Sequence, residues 1–348
     1  MIFPRLARPA LSPATLLLVA GTLAFAPGTQ AKSRAPVPEA GPAYKGAVVM
    51  DAATGKVLFE DHDGETSPPA SMTKLMTFAV IHDRIASGAM TLQTPVTVTA
   101  ADSRIGGTQV WLKQGEVFPV EELLYAVMIQ SANDAAYALA RTAAGTVPAF
   151  VELMNAKARE LGMTRTTFRT PHGLPPANRR LAEGDLTTPH DFALLCRHLV
   201  LRTDVTKYTS VKRRPFGPPG RGTMMDNHDH LLGRVQGVDG LKTGFTNGAA
   251  FCLSATALRN GRRIIVVVMG SPDSRTRDLK VADLIEQGFA MLPPNSPKFV
   301  PEGPQPATIE VEASPVSAAP VPTAQPAAAP EDNPNAIKFS LPEPRKKK

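Results

Sequence analysis

The chain is short of cysteine, of aromatic residues and of long apolar runs, and each shortage removes a class of protein. Cys196 and Cys252 are its only cysteines, so disulfide chemistry reduces to one possible bridge, whose geometry sequence does not supply. Both sit in apolar surroundings and read as buried small residues, not as nucleophiles. No stretch approaches the roughly 20 apolar residues of a membrane span. The run from Leu16 to Phe25 is about half that length, and Ile264 to Met269 is strand length. Aromatics make up 5% of the chain, and none is interleaved with the basic clusters Lys212-Arg213-Arg214 and Arg345 to Lys348. The net charge of +7 therefore does not read as a nucleic-acid surface; an anionic wall or membrane surface suits it better. There is no H-E-x-x-H helix and no cysteine pair, so the H-x-H of His228 and His230 has nothing to complete a metal site.

What is present divides the chain. Residues 1–31 carry Arg5 and Arg8, the short apolar run, and Thr29-Gln30-Ala31 ahead of Lys32, the pattern of a secretory signal peptide cut after Ala31. Residues 32–42 are a Pro/Ala-rich linker. Residues 43–292 form the folded domain, and 293–348, dominated by Pro and Ala, read as a disordered tail. The terminal Arg345 to Lys348 cluster has no apolar face, so at most it touches a membrane surface weakly, at about 1 kcal/mol per charge.

Within the domain, residues 46–50 and 56–60 read as a β-hairpin. Residues 71–87 repeat apolar side chains at Leu75, Met76, Phe78, Ala79, Ile81 and Ile85, with Pro68 and Pro69 before and Gly88 after, which predicts a helix. Helices also follow at 120–130, resuming at 135–140 after Ser131-Ala132-Asn133, and at 149–161 and 188–201. Residues 241–245, 250–258 and 263–269 read as strands, the last two joined by Asn260-Gly261, a two-residue hairpin signal. An amphipathic helix runs over 275–291. Strands at both ends with helices between them predict an α+β fold whose termini meet in one sheet.

Three short patterns carry chemistry. Ser71-Met72-Thr73-Lys74 puts a hydroxyl and an amine at i and i+3, on one face of a helix. A desolvated lysine can take the proton of a serine that is otherwise a poor nucleophile. Ser131-Ala132-Asn133 falls in a break between helical stretches. Lys242-Thr243-Gly244 falls on a strand, where alternation sets Lys242 and Gly244 on one face; the lysine can bind a carboxylate, and the glycine lets a substrate backbone approach. Each alone is unremarkable, as a capping serine, a turn and a strand segment. Together and in this order they match the S-x-x-K, S-x-N and K-T-G elements of penicillin-binding proteins and class A β-lactamases.

With Pro69 to Thr77, Met154-Asn155, Leu161-Gly162-Met163, Thr170 to Leu174 and Asp239 to Gly244 added, the chain over about 40–292 resembles the low-molecular-mass penicillin-binding proteins, the D-alanyl-D-alanine carboxypeptidase family. The resemblance implies an antiparallel sheet flanked by helices plus a helical subdomain. It also implies a serine D,D-carboxypeptidase that removes the terminal D-alanine from peptidoglycan stem peptides, without metal or cofactor, and that β-lactams inhibit covalently. Ser71 would be the nucleophile, Lys74 its base and Ser131 the proton relay to the leaving amine. Asn133 would hold the substrate amide; Lys242 and Thr243 would bind the terminal carboxylate, with Gly244 beside them and Arg277 nearby. Arg277 reads nearly as well as a surface cation at a helix start. The N–H groups of Ser71 and Phe245 would form the oxyanion hole. His172 reads as structural, and 227–230 as a passage the family keeps rich in asparagine. The rival readings are a D,D-endopeptidase of the same family and a silent peptidoglycan-binding scaffold. A β-lactamase is disfavoured by Ala132 after Ser131 and by the lack of a placed Glu-x-x-x-Asn element. The second, β-rich domain and amphipathic anchor of better-known members are not expected here.

Overall fold

The computed structural model describes residues 43–303. Strands β1 (Gly46–Asp51) and β2 (Val57–Asp61) form the opening hairpin. Helix α1 (Lys74–Ala86) follows a 3-10 turn at Ala70–Thr73. A small antiparallel pair, β3 (Pro95–Thr97) and β4 (Val117–Pro119), brackets a loop that ends in α2 (Val120–Tyr125). Helices α3 (Asn133–Ala144), α4 (Val147–Glu160), α5 (Pro189–Arg202) and α6 (Val205–Thr209) complete the helical part. A second small pair, β5 (Arg213–Pro215) and β6 (Met224–Asp226), precedes the long strands β7 (Val238–Thr246), β8 (Ala250–Arg259) and β9 (Arg262–Ser271) and the closing helix α7 (Ser274–Met291).

The main sheet runs β2-β1-β9-β8-β7, antiparallel throughout. The first and last strands of the domain meet, as the α+β reading expects. Strand alternation divides the core in two. Ala47, Val49, Leu253, Ala255, Ile264, Val266 and Val268 pack under Val281, Leu284 and Ile285 of α7. Val48, Met50, Ile265, Val267 and Met269 face the helical part, where Leu75, Phe78, Leu139 and Phe192 meet them. Each such Val or Ile, buried on a strand covered on both sides, stabilises by about 1.5–3 kcal/mol. At Asn260 and Gly261, with φ of 51° and 75°, the β8–β9 turn takes the left-handed backbone that this dipeptide tolerates.

Three features differ from the sequence reading. The helix over 120–130 is α-helical only to Tyr125 and closes as a π turn, Ala126–Gln130, because Ser131 leaves it in the left-handed region at φ 62°. The pairs β3–β4 and β5–β6, three residues per strand, are too short for alternation to show. Finally, residues 293–303, assigned to the tail, lie against the body: Phe299 packs on the core and its N–H donates to the Gly261 carbonyl (2.7 Å), and Glu302 N–H donates to Leu201 (2.8 Å). One phenylalanine supplies an anchor that a Pro-rich average conceals. The signal-peptide and linker assignments, the remaining tail and the Arg345 to Lys348 cluster lie outside the described residues.

Candidate active site

The nucleophile turn is fixed before it reaches the helix. Ala70 adopts φ 48° after Pro68-Pro69, and Ser71 sits in the 3-10 turn that leads into Lys74, the first residue of α1, so the helix expected from residue 71 starts three residues later. Lys74 is fully buried. Its Nζ lies 2.9 Å from Ser71 Oγ and donates to the His172 carbonyl at 2.7 Å. Burial holds the Lys74 amine well below the ordinary lysine value, and the charge of Lys242 pushes the same way against Asp185 and Asp134. A neutral amine here can accept the Ser71 proton, which a protonated one cannot.

The loop 170–173 forms the back wall. Thr77 Oγ1 donates to the Pro171 carbonyl (2.6 Å), and Thr73 Oγ1 to Asp185 (2.9 Å), whose carboxylate also takes the amides of Arg169 and Thr170. His172 is buried, its imidazole pushed down to about 3 by burial and then by Lys74. It stays neutral and accepts from Leu174 N–H, a structural part, as expected. Gly173 has φ +84°, and a Cβ there would stand 1.9 Å from the Ala70 carbonyl oxygen. Gly173→Ala is therefore expected to cost about 2–4 kcal/mol, combining left-handed strain with a backbone clash, and to slow acylation by displacing Ser71. Gly88→Ala is the control, since φ there is +75° with nothing within 4 Å; it should lose only about 1 kcal/mol. Equal losses in thermal melts of the two variants would remove the clash argument.

Ser131 and Asn133 enter from the helical side. Ser131 leaves the π turn in the left-handed region, both side chains are buried, and Ser131 Oγ and Asn133 Oδ1 have no hydrogen-bond partner among the described residues. Asn133 Nδ2 donates to the Gly106 carbonyl (2.8 Å) and Asn133 N–H to Thr108 (2.8 Å). Asp134 accepts from Val110 and Leu112 N–H, so the loop 105–112 is stitched to the start of α3. Buried polar atoms left unpaired are costly and point to a partner that arrives.

The third wall is β7, the edge of the main sheet. Lys242 is buried, its Nζ donating to the Thr243 carbonyl (3.1 Å). Burial pushes its pKa down to about 7, with Asp229 opposing and Arg277 adding to the shift; a bound anion would pull it back toward the charged form. Gly244 has a further reason to be bare. A Cβ there would meet the Pro69 carbonyl oxygen at 2.5 Å and Ala70 Cβ at 3.2 Å, so its bareness lets β7 close on the nucleophile turn.

Ser71, Ser131, Thr243, Gly244, Phe245 and Arg277 all line one pocket of roughly 340 Å³. Lys74, Asn133 and Lys242 stand behind it as the buried second row. Arg277, in the first turn of α7, is 3% exposed and donates through Nε and Nη2 to Asp278 (2.9 and 2.6 Å), which excludes the surface-cation reading. Thr108, Phe251 and Ser274, which no motif in the sequence marked, also line the pocket, as do His228 and His230, which read in the sequence only as a metal pair with nothing to complete it. His228 is pushed down to about 4 by burial and by the neighbouring cations, Lys242 first, while His230 Nδ1 lies 3.1 Å from Asp278 Oδ2. Among the described residues no group of three or more His, Cys, Asp or Glu side chains is placed to hold a metal. Cys196 and Cys252 are both free and buried.

Comparison with known proteins agrees with this geometry. Residues 33–273 match the sequence profile of a peptidase family described as D-alanyl-D-alanine carboxypeptidase. The chain is 33% identical over 278 residues to D-alanyl-D-alanine carboxypeptidase DacF of Bacillus subtilis, covering 79% of this chain and 70% of that protein. It is 37% identical over 250 residues to DacC of Escherichia coli, covering 70% of this chain and 60% of DacC. Penicillin-binding protein 5 of Haemophilus influenzae superposes with a TM-score of 0.65 at 31% identity, over 71% of each chain. Penicillin-binding protein D2 of Listeria monocytogenes, in its ampicillin-bound form, does so at 0.64 and 29%, over 73% of this chain and 100% of that one.

Proposed function

The chain belongs to the D-alanyl-D-alanine carboxypeptidase family of serine peptidases, and from that premise we propose that it removes the terminal D-alanine from peptidoglycan stem peptides through an acyl-enzyme on Ser71. The observation that carries the reading is the buried Lys74 amine 2.9 Å from Ser71 Oγ. Neutral Lys74 takes the hydroxyl proton as Oγ attacks the carbonyl between the two terminal residues. The N–H groups of Ser71 and Phe245 hold the oxyanion, and one such donor is worth about 3–4 kcal/mol of barrier. Ser131, whose Oγ has no other partner, passes a proton to the departing amine. Asn133 Oδ1, equally free, accepts from the substrate amide.

Recognition of the leaving end rests on charge. Thr243 and Arg277, which line the pocket, present hydroxyl and cationic groups to the terminal carboxylate, and Lys242 adds its charge from behind the wall. The ring carboxylate of a β-lactam would occupy the same position, and water attack on that adduct would be slow, so these compounds should inhibit the protein covalently. The ampicillin-bound and cefotaxime-bound forms of the Listeria protein support this.

The test is release of free D-alanine from a peptide ending in D-Ala-D-Ala, run beside a crosslinked stem dimer. Terminal release with the dimer intact is the expected result. Cleavage of the dimer alone would move the assignment to an endopeptidase, and no turnover of either by folded protein would leave a binding scaffold.

A further inference from the structure

The pocket has an aromatic wall that the acylation chemistry does not use. Along β7 the side chains of Thr243 and Phe245 share a face, and both line the pocket. Phe245 is 51% exposed. Its ring packs on that of Phe251, its cross-strand partner on β8, with centroids 4.3 Å apart and planes at 30°. Phe251 also lines the pocket and is only partly buried. The wall adjoins the cationic end of the cleft: Arg277 Nη1 reaches the carbonyl of Cys252, the residue after Phe251, at 3.5 Å.

A carboxylate held by Thr243 and Arg277, which line the pocket, fixes where the rest of the terminal residue lies. The side chain on its α-carbon must fall within a few bond lengths of that anchor, where Phe245 and Phe251 supply the apolar surface. A methyl group covers little of two phenyl faces that both open on the cleft. The other linings are polar, namely Ser131, His228, His230 and Ser274.

We propose that Phe245 and Phe251 form the subsite for the side chain of the departing residue, and that the enzyme releases larger apolar D-residues, such as D-leucine and D-phenylalanine, as well as D-alanine. The inference rests on the carboxypeptidase reading and specifies its substrate range. An acidic side chain is rejected there, because it finds aromatic faces and no added cation.

The experiment uses the full chain and four peptides that differ only in a C-terminal D-Ala, D-Leu, D-Phe or D-Glu, with kcat/KM read from the amino acid released. D-leucine and D-phenylalanine are expected within about tenfold of D-alanine, and D-glutamate at least about a hundredfold below it. One methylene in an apolar site is worth about 10-fold or more. Phe245→Thr and Phe251→Thr keep strand-compatible residues and should each lower the D-Leu to D-Ala ratio by about tenfold or more. General damage would lower both rates and leave the ratio unchanged. D-leucine release more than tenfold slower than D-alanine in the parent, or a ratio unmoved in both variants, overturns the subsite. Release of D-leucine without D-alanine would count against the proposed activity alone, and release of neither overturns both.

Discussion

Ser71→Ala is expected to abolish covalent labelling by penicillin and to lower D-alanine release by about 10⁴-fold or more, since nucleophile loss leaves only binding and oxyanion stabilisation. The fold should persist. Ser71 Oγ has Lys74 as its one side-chain partner, and Lys74 keeps its bond to the His172 carbonyl, so the change in stability should stay within about 1 kcal/mol. Intact mass before and after incubation reads the result, with a penicillin-sized gain in the parent and none in the variant. A labelled variant would place the nucleophile elsewhere, with Ser131 the next hydroxyl to examine.

Lys74→Met separates chemistry from stability. General-base removal should lower acylation by about 10²–10⁴-fold, yet the melting temperature should stay within about 3 °C of the parent or rise. Burial already disfavours the charged amine at this position, so an apolar side chain of similar length removes a desolvation cost. The price is one donor to the His172 carbonyl, about 1–2 kcal/mol. The same depressed pKa sets the acid limb of the pH dependence in the parent: below it Lys74 is protonated and cannot accept the Ser71 proton, so kcat/KM falls as pH drops through it, while loss of the Lys242 charge above about 7 lowers it on the alkaline side. A variant that melts far below the parent, or a parent rate with no fall on the acid side, would contradict this account of Lys74.

Much of this was readable in the chain. Helix and strand spacing placed Ser71 and Lys74 on one helical face and Lys242-Thr243-Gly244 on a strand, and Asn260-Gly261 marked the β8–β9 turn, because such patterns are set by local backbone periodicity. The π turn before Ser131 was not readable, nor was the docking of 293–303. Both depend on what the segment packs against and leave no repeat behind. For Arg277, a site cation and a surface cation stood nearly level until its burial beside Asp278 decided between them.

Local spacing was enough to say which reactive groups exist and how neighbours along the chain are oriented, since an i, i+3 pair on a helical turn meets wherever that turn lies. That Ser71, Ser131 and Thr243, separated by 60 and 112 residues, share one pocket followed from the packing of distant segments. The same packing drove Lys74 toward neutrality by burying it beside Lys242, gave Gly244 and Gly173 their contacts with the nucleophile turn, and set Phe245 against Phe251. Distances between remote segments, and the desolvation that shifts a pKa, are properties of packing, and no short stretch of chain contains them.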